Sequence, residues 1–110
     1  FGKSLLIFCR HLQALKLVSY EEKYGLTSQI RRSSVSVGAN IAEEFGRDSD
    51  GDFIRFLRIS QGSLKETETH LILAERLEFV GKKDIESGLQ LADEIGKMLR
   101  SLIAKIGQEQ

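Results

Sequence analysis

The run over residues 31–47, RRSSVSVGANIAEEFGR, constrains this chain more than any other segment. Turned at 100° per residue, it reads as a helix with two apolar strips rather than one. Ile30, Ser34, Val37, Ile41 and Phe45 fall on one face, and Val35, Ala39 and Ala42 on a second, roughly opposite. Arg32, Ser36, Asn40, Glu43 and Arg47 make a narrow polar stripe beside the first face. A surface helix normally carries one apolar stripe. A helix with two is packed on both sides, so the stripe is expected inside an assembly or along a groove.

The rest of the chain reads as helix in the same way. A first helix is expected from about Ser4 to Glu22, with Leu5, Phe8, Cys9, Leu12 and Leu15 on its apolar face. Gly25 fits a position just past a helix end, and Thr27 or Ser28 fits the next N-cap. The second helix then runs to about Phe45. Ser49 followed by Asp52 is a capping-box pattern, and Asp50 and Asp52 suit the positive end of a helix dipole. A third helix is therefore expected from there to about Glu78. Phe53, Leu57, Ser60, Leu64 and Leu71 centre its buried face, widened by Phe56, Ile59, Ala74 and Leu77. A fourth runs from Lys83 or Asp84 to about Ile106. Gly88, Ala92 and Gly96 recur every four residues at the centre of its apolar arc. A helical glycine costs about 1 kcal/mol relative to alanine, and close helix packing is the expected return.

Four long helices joined by short links give an antiparallel up-down four-helix bundle, all-α and a single domain over residues 1–110. Proline is absent from the 110 residues and 41% are hydrophobic, enough for a core without disulfide or metal. The apolar arcs exceed what one small bundle interior needs, which predicts a homo-oligomer. The one cysteine, Cys9, suits a reducing cytoplasm. No apolar run reaches membrane-spanning length, and FGKSLLIFCRHL reads as helix rather than as a leader.

Formal net charge is zero, which removes the usual electrostatic prompt for nucleic acid. The balance is uneven, with six bases against two acids over residues 1–32 and six against nine over 66–110. Catalytic and metal patterns are missing from the sequence. Glu66 and His70 are four apart, not the three of a bundle di-metal motif. Asp48, Asp50 and Asp52 resemble the opening of a calcium loop, but Phe53 replaces its glycine and Ile59 its closing glutamate. No phosphate loop or nucleophile elbow occurs. No enzyme activity, cofactor or metal is expected.

The elements YGLTSQIRRSSVSVGANIAEEFGR and DFIRFLRISQGSLKETETHLILAERLEFV, with IGKMLRSLI in the fourth helix, resemble the bacterial four-helix bundle family of 23S ribosomal RNA intervening-sequence proteins. The resemblance implies an antiparallel bundle forming a ring-shaped homopentamer, and no catalytic residue. The family's polar positions correspond to Gln29, Arg31, Arg32, Asn40, Glu43 and Arg47, with Ser63 and Glu66. Gly38 stands where members usually have proline, whose loss suggests a straighter helix, and Glu44 where they have glycine, which adds negative charge near the polar stripe and weakens the case for RNA contact. Two readings stay open. In one, Arg31, Arg32, Arg47, Arg55 and Arg58 contact RNA phosphates. In the other, the stripe of Arg32, Ser36, Asn40, Glu43 and Arg47 is a structural subunit interface, and the ring is a scaffold for a protein partner.

Overall fold

The computed structural model describes residues 2–14, 25–44, 50–77 and 81–109, with residues 2, 27, 40–44, 50–52, 108 and 109 described by their backbone alone. Four helices carry the chain: α1 at Gly2–Gln13, α2 at Leu26–Glu44, α3 at Asp50–Arg76 and α4 at Lys82–Glu109. No strand occurs among the described residues.

Helix starts follow local chemistry, with one correction. The Gly25 carbonyl accepts the Gln29 N–H at 3.1 Å, so Gly25 itself is the N-cap of α2. Thr27 and Ser28 lie in its first turn instead. Glycine is tolerated at an N-cap because that residue leaves helical geometry. Gly81 does the same for α4, where its carbonyl accepts the N–H groups of Asp84 and Ile85 at 3.1 and 3.2 Å. Helix α3 starts at Asp50, one residue after the expected cap Ser49, which lies outside the described residues. The expected continuation of the first helix from Leu15 to Glu22 also lies outside them.

Each helix touches two others: α1 and α3 both pack on α2 and on α4, while neither diagonal pair is in contact among the described residues. Side-chain pairings give the directions. Thr67 meets Ser33 and Ser60 meets Val37, so α3 descends as α2 rises. Leu71 lies against Gly88 and Leu64 against Gly96, so α4 reverses α3. Cys9 meets Ser34 and Gln13 meets Arg31, so α1 reverses α2. The result is an antiparallel bundle 48 Å long. A 28-residue helix spans about 42 Å at 1.5 Å per residue, so α4 runs nearly the whole length.

The core is built on sevens. Leu57, Leu64 and Leu71 recur every seven residues on α3, as do Ser60, Thr67 and Ala74; all six are buried. A seven-residue repeat keeps one seam facing its partners at the shallow crossing angle of bundles. The leucines fill the centre with Phe8, Leu12, Ile95 and Leu99. Of the smaller trio, Ser60 and Thr67 face α2. Ile59 and Leu77, expected to widen the buried face of α3, are instead 43% and 50% exposed. The seven-residue seam is narrower than the half-helix face expected from apolar content alone.

Candidate functional site

The seam between α2 and α3 is lined with hydroxyls. Ser33, Ser60 and Thr67 are buried at 0–4% exposure, and Ser34, also buried, turns to α1 instead, where its Oγ accepts Gln13 Nε2 at 3.4 Å. Ser60 donates to the Val37 carbonyl at 2.8 Å. Ser36 and Ser63 share a hydrogen bond at 3.0 Å. Thr67 Oγ1 lies 2.7 Å from Ser33 Oγ and 2.9 Å from the Ser63 carbonyl, and Ser33 Oγ lies 2.9 Å from the Gln29 carbonyl. A hydroxyl has one proton. The pair therefore forms one of two chains, Thr67 to Ser33 to Gln29, or Ser33 to Thr67 to Ser63. Either chain leaves both hydroxyls satisfied, as buried polar groups require. Thr67 was not legible as part of this site from residue type. The repeat Ser60, Thr67, Ala74 is the signal that marks it.

The polar stripe of α2 does not share one environment. Ser36 is half-buried against α3, whereas Arg32 is exposed. The side chains of Asn40 and Glu43, and all of Arg47, lie outside the described residues. The second apolar strip faces outward in the single chain, with Val35 52% exposed and Ala39 exposed.

The five arginines expected to contact RNA do not form one patch among the described residues. Arg31 is half-buried on the α1 side of α2, and its carbonyl accepts Gln13 Nε2 at 3.3 Å and Ser34 Oγ at 3.0 Å. Arg55 and Arg58 are exposed on α3, where the Arg55 guanidinium lies 4.9 Å above the Phe56 ring. The pairing of Ser33 with Thr67 sets Arg31 and Arg32 level with residues near 68 on α3. Arg58 is about ten residues away, roughly 15 Å along the bundle.

The glycine positions on α4 differ from one another. A Cβ at Gly88 would lie 3.3 Å from Leu71 Cδ1, 3.4 Å from Leu12 Cδ2 and 3.6 Å from His11 Cδ2. Gly88 is thus where α1, α3 and α4 converge. The His11 ring also reaches the Asp84 carbonyl, Nε2 to oxygen 3.0 Å, pinning α1 over the start of α4. Ala92 is fully buried. Gly96 sits beneath the Arg100 guanidinium, with Nη1 3.3 Å from where a Cβ would be. Gly62, Ala92 and Gly96 line a groove of about 380 Å³ between α3 and α4, flanked by Lys65, Glu68, Asp93 and Arg100.

Reactive chemistry is not assembled at these positions. The Cys9 thiol donates to the Ser34 carbonyl at 3.4 Å, and partial burial raises its pKa above the ordinary thiol value, away from the thiolate a nucleophile needs. Among the described residues no three of His, Cys, Asp and Glu come together as a metal site. No helix among them is long and apolar enough to cross a membrane.

An antiparallel bundle of four helices with a hydroxyl-lined seam defines the class. The chain belongs to the 23S rRNA-intervening sequence protein family, whose model matches residues 3–101. It is similar to the crystal structure of a protein of unknown function from the S23 ribosomal protein family of Bacteroides thetaiotaomicron. That similarity has a TM-score of 0.82 and 36% identity over 93% of both chains. No curated protein matches.

Proposed function

We propose that this chain is a non-catalytic assembly module whose copies associate through the outward faces of α1, α2 and α3, closing into a ring-shaped homopentamer. The observation that carries the reading is the placement of exposed apolar side chains. Leu6 and Ile7 on α1, Val35 on α2, and Ile59, Ile72, Leu73 and Leu77 on α3 are 41–52% exposed. Helix α4 has no large hydrophobic residue among them. Apolar exposure of this kind supports interaction surfaces on α1, α2 and α3, whereas apolar side chains on α4 such as Met98 and Leu102 are half-buried. The two-stripe pattern of α2 supports the same reading. Five copies of a 12.4 kDa chain make a particle of about 62 kDa. Light scattering after size exclusion tests this. The wild-type chain is expected near that mass, and Val35→Lys with Leu73→Lys is expected to shift it toward 12.4 kDa with helicity retained. A wild-type chain monomeric at micromolar concentration overturns the proposal.

A further inference from the structure

The zero net charge of this chain conceals a polarised wall. The contacts of Leu64 with Gly96 and Leu71 with Gly88 set the first half of α3 beside the second half of α4. Residues 53–65 and 95–107 together hold six bases, Arg55, Arg58, Lys65, Lys97, Arg100 and Lys105, and no acid. All six are exposed. The other halves of the same two helices, residues 66–77 and 82–94, hold seven acids and three bases. The acids of the basic end, Asp50, Asp52 and Glu109, lie only at the helix tips beyond it.

Lys65 and Arg100 line the groove floored by Gly62, Ala92 and Gly96, with Glu68 and Asp93 toward its acidic end and Arg100 toward its basic end. Arg58 precedes Lys65 by seven residues on the same strip of α3, and Lys97 precedes Arg100 by three on α4. Two of these bases have carboxylate neighbours, Lys65 with Glu68 at 3.8 Å and Lys97 with Asp93 at 3.2 Å. The Lys97–Asp93 pair is solvent-exposed and weak; in the other, Lys65 is 77% exposed while Glu68 is only 25% exposed, so both ammonium groups still face solvent. Arg58 and Arg100 form no ion pair among the described residues. Gly62 adds an independent observation: a Cβ there would meet nothing within 4 Å, so packing within this chain does not require glycine. A glycine in mid-helix beside a cationic groove lets a ligand approach the backbone closely.

We propose that this groove binds the phosphodiester backbone of a single nucleic-acid strand. At the basic end of the groove, beyond Glu68 and Asp93, Arg58 on α3 and Lys97 and Arg100 on α4 suit a chain that carries one negative charge per unit. Guanidinium groups match phosphate oxygens in two-point geometry. The planar stack of Arg55 on Phe56 at the same end offers a face for an unpaired base. This site shares only Arg55 and Arg58 with the arginines that sequence reading singled out. It lies on α4 and the adjoining side of α3, and its accessibility rests on the proposed assembly leaving α4 uncovered.

The test is fluorescence anisotropy with labelled oligouridylate and oligothymidylate, from about 50 to about 200 mM salt. Arg58→Glu with Arg100→Glu is compared with Arg10→Glu and Arg76→Glu, which change net charge equally on exposed positions elsewhere. Circular dichroism and size exclusion confirm that both double variants keep the wild-type fold and mass. The groove variant is expected to raise Kd at least about tenfold and to lower the salt slope by about 1.4, at 0.7 per lost phosphate contact. The control is expected to change Kd less than about threefold, by general charge alone. Binding of either strand supports the site, and the tighter of the two identifies its source. Absence of binding at the lower salt overturns the proposal, as does equal weakening by both double variants. Binding to phosphatidylserine vesicles without binding to either strand overturns it in favour of a membrane surface.

Discussion

Replacing a helical glycine by alanine is expected to have opposite consequences at Gly88 and Gly62. Both sit inside long helices, so each substitution gains about 1 kcal/mol of helix propensity. At Gly62 the new methyl group meets nothing within 4 Å and the gain is kept. At Gly88 it lies 3.3 and 3.4 Å from the tips of Leu71 and Leu12. Both leucines are fully buried, so neither can yield into solvent. Overpacking a closed core costs about 1–3 kcal/mol, which leaves Gly88→Ala destabilised by about 1 kcal/mol. The two variants should therefore differ by about 2 kcal/mol. Urea unfolding followed by circular dichroism at one fixed protein concentration reads this. With a slope of about 1–3 kcal/mol per molar, the midpoints should separate by about 1 M with unchanged slopes. Fixed concentration matters because assembly adds to apparent stability. A Gly88→Ala variant as stable as Gly62→Ala would refute the convergence of three helices at that point.

Two further outcomes follow from the buried groups. Thr67→Val removes one side of the hydroxyl pair but leaves Ser33 donating to the Gln29 carbonyl, so it should cost about 1 kcal/mol. Adding Ser33→Ala should cost little more, because both partners are then gone; urea midpoints of the four chains give the coupling, and strict additivity would argue against the pairing. The Cys9 thiol has a folded pKa raised by burial. Its contribution to stability is thus intact below the ordinary value of 9.0 and declines as pH rises above it. Unfolding midpoints of wild type should fall more between neutral pH and pH above 9.0 than those of Cys9→Ala, and parallel declines would count against it.

The four helices were legible because their apolar spacing is long and regular. Leu57, Leu64, Leu71, Ile85, Ile95 and Leu99 are recognisable as core from period alone, and the structure buries them. Thr67 was not, since residue type marks threonine as a surface group and only its seven-residue spacing from Ser60 and Ala74 reveals its place. At the start of α2 the hydroxyl residues Thr27 and Ser28 fit a cap by residue type, yet the Gly25 carbonyl takes that role. The basic groove was hidden for a different reason. Charge was summed along the chain, whereas Lys65 and Arg100 become neighbours only through the antiparallel register of α3 and α4.

The hydroxyl seam has a consequence for how the bundle comes apart. A purely oily contact between two helices tolerates sliding, because any greasy surface serves another. Here a shift by one turn would strand Ser60 away from the Val37 carbonyl, at about 1–3 kcal/mol for the orphaned group, and would part Thr67 from Ser33 and Ser36 from Ser63. The α2–α3 pair therefore behaves as a keyed joint with a single seated position. Such a joint opens as a whole or not at all. The amides of these two helices should exchange with solvent in concert.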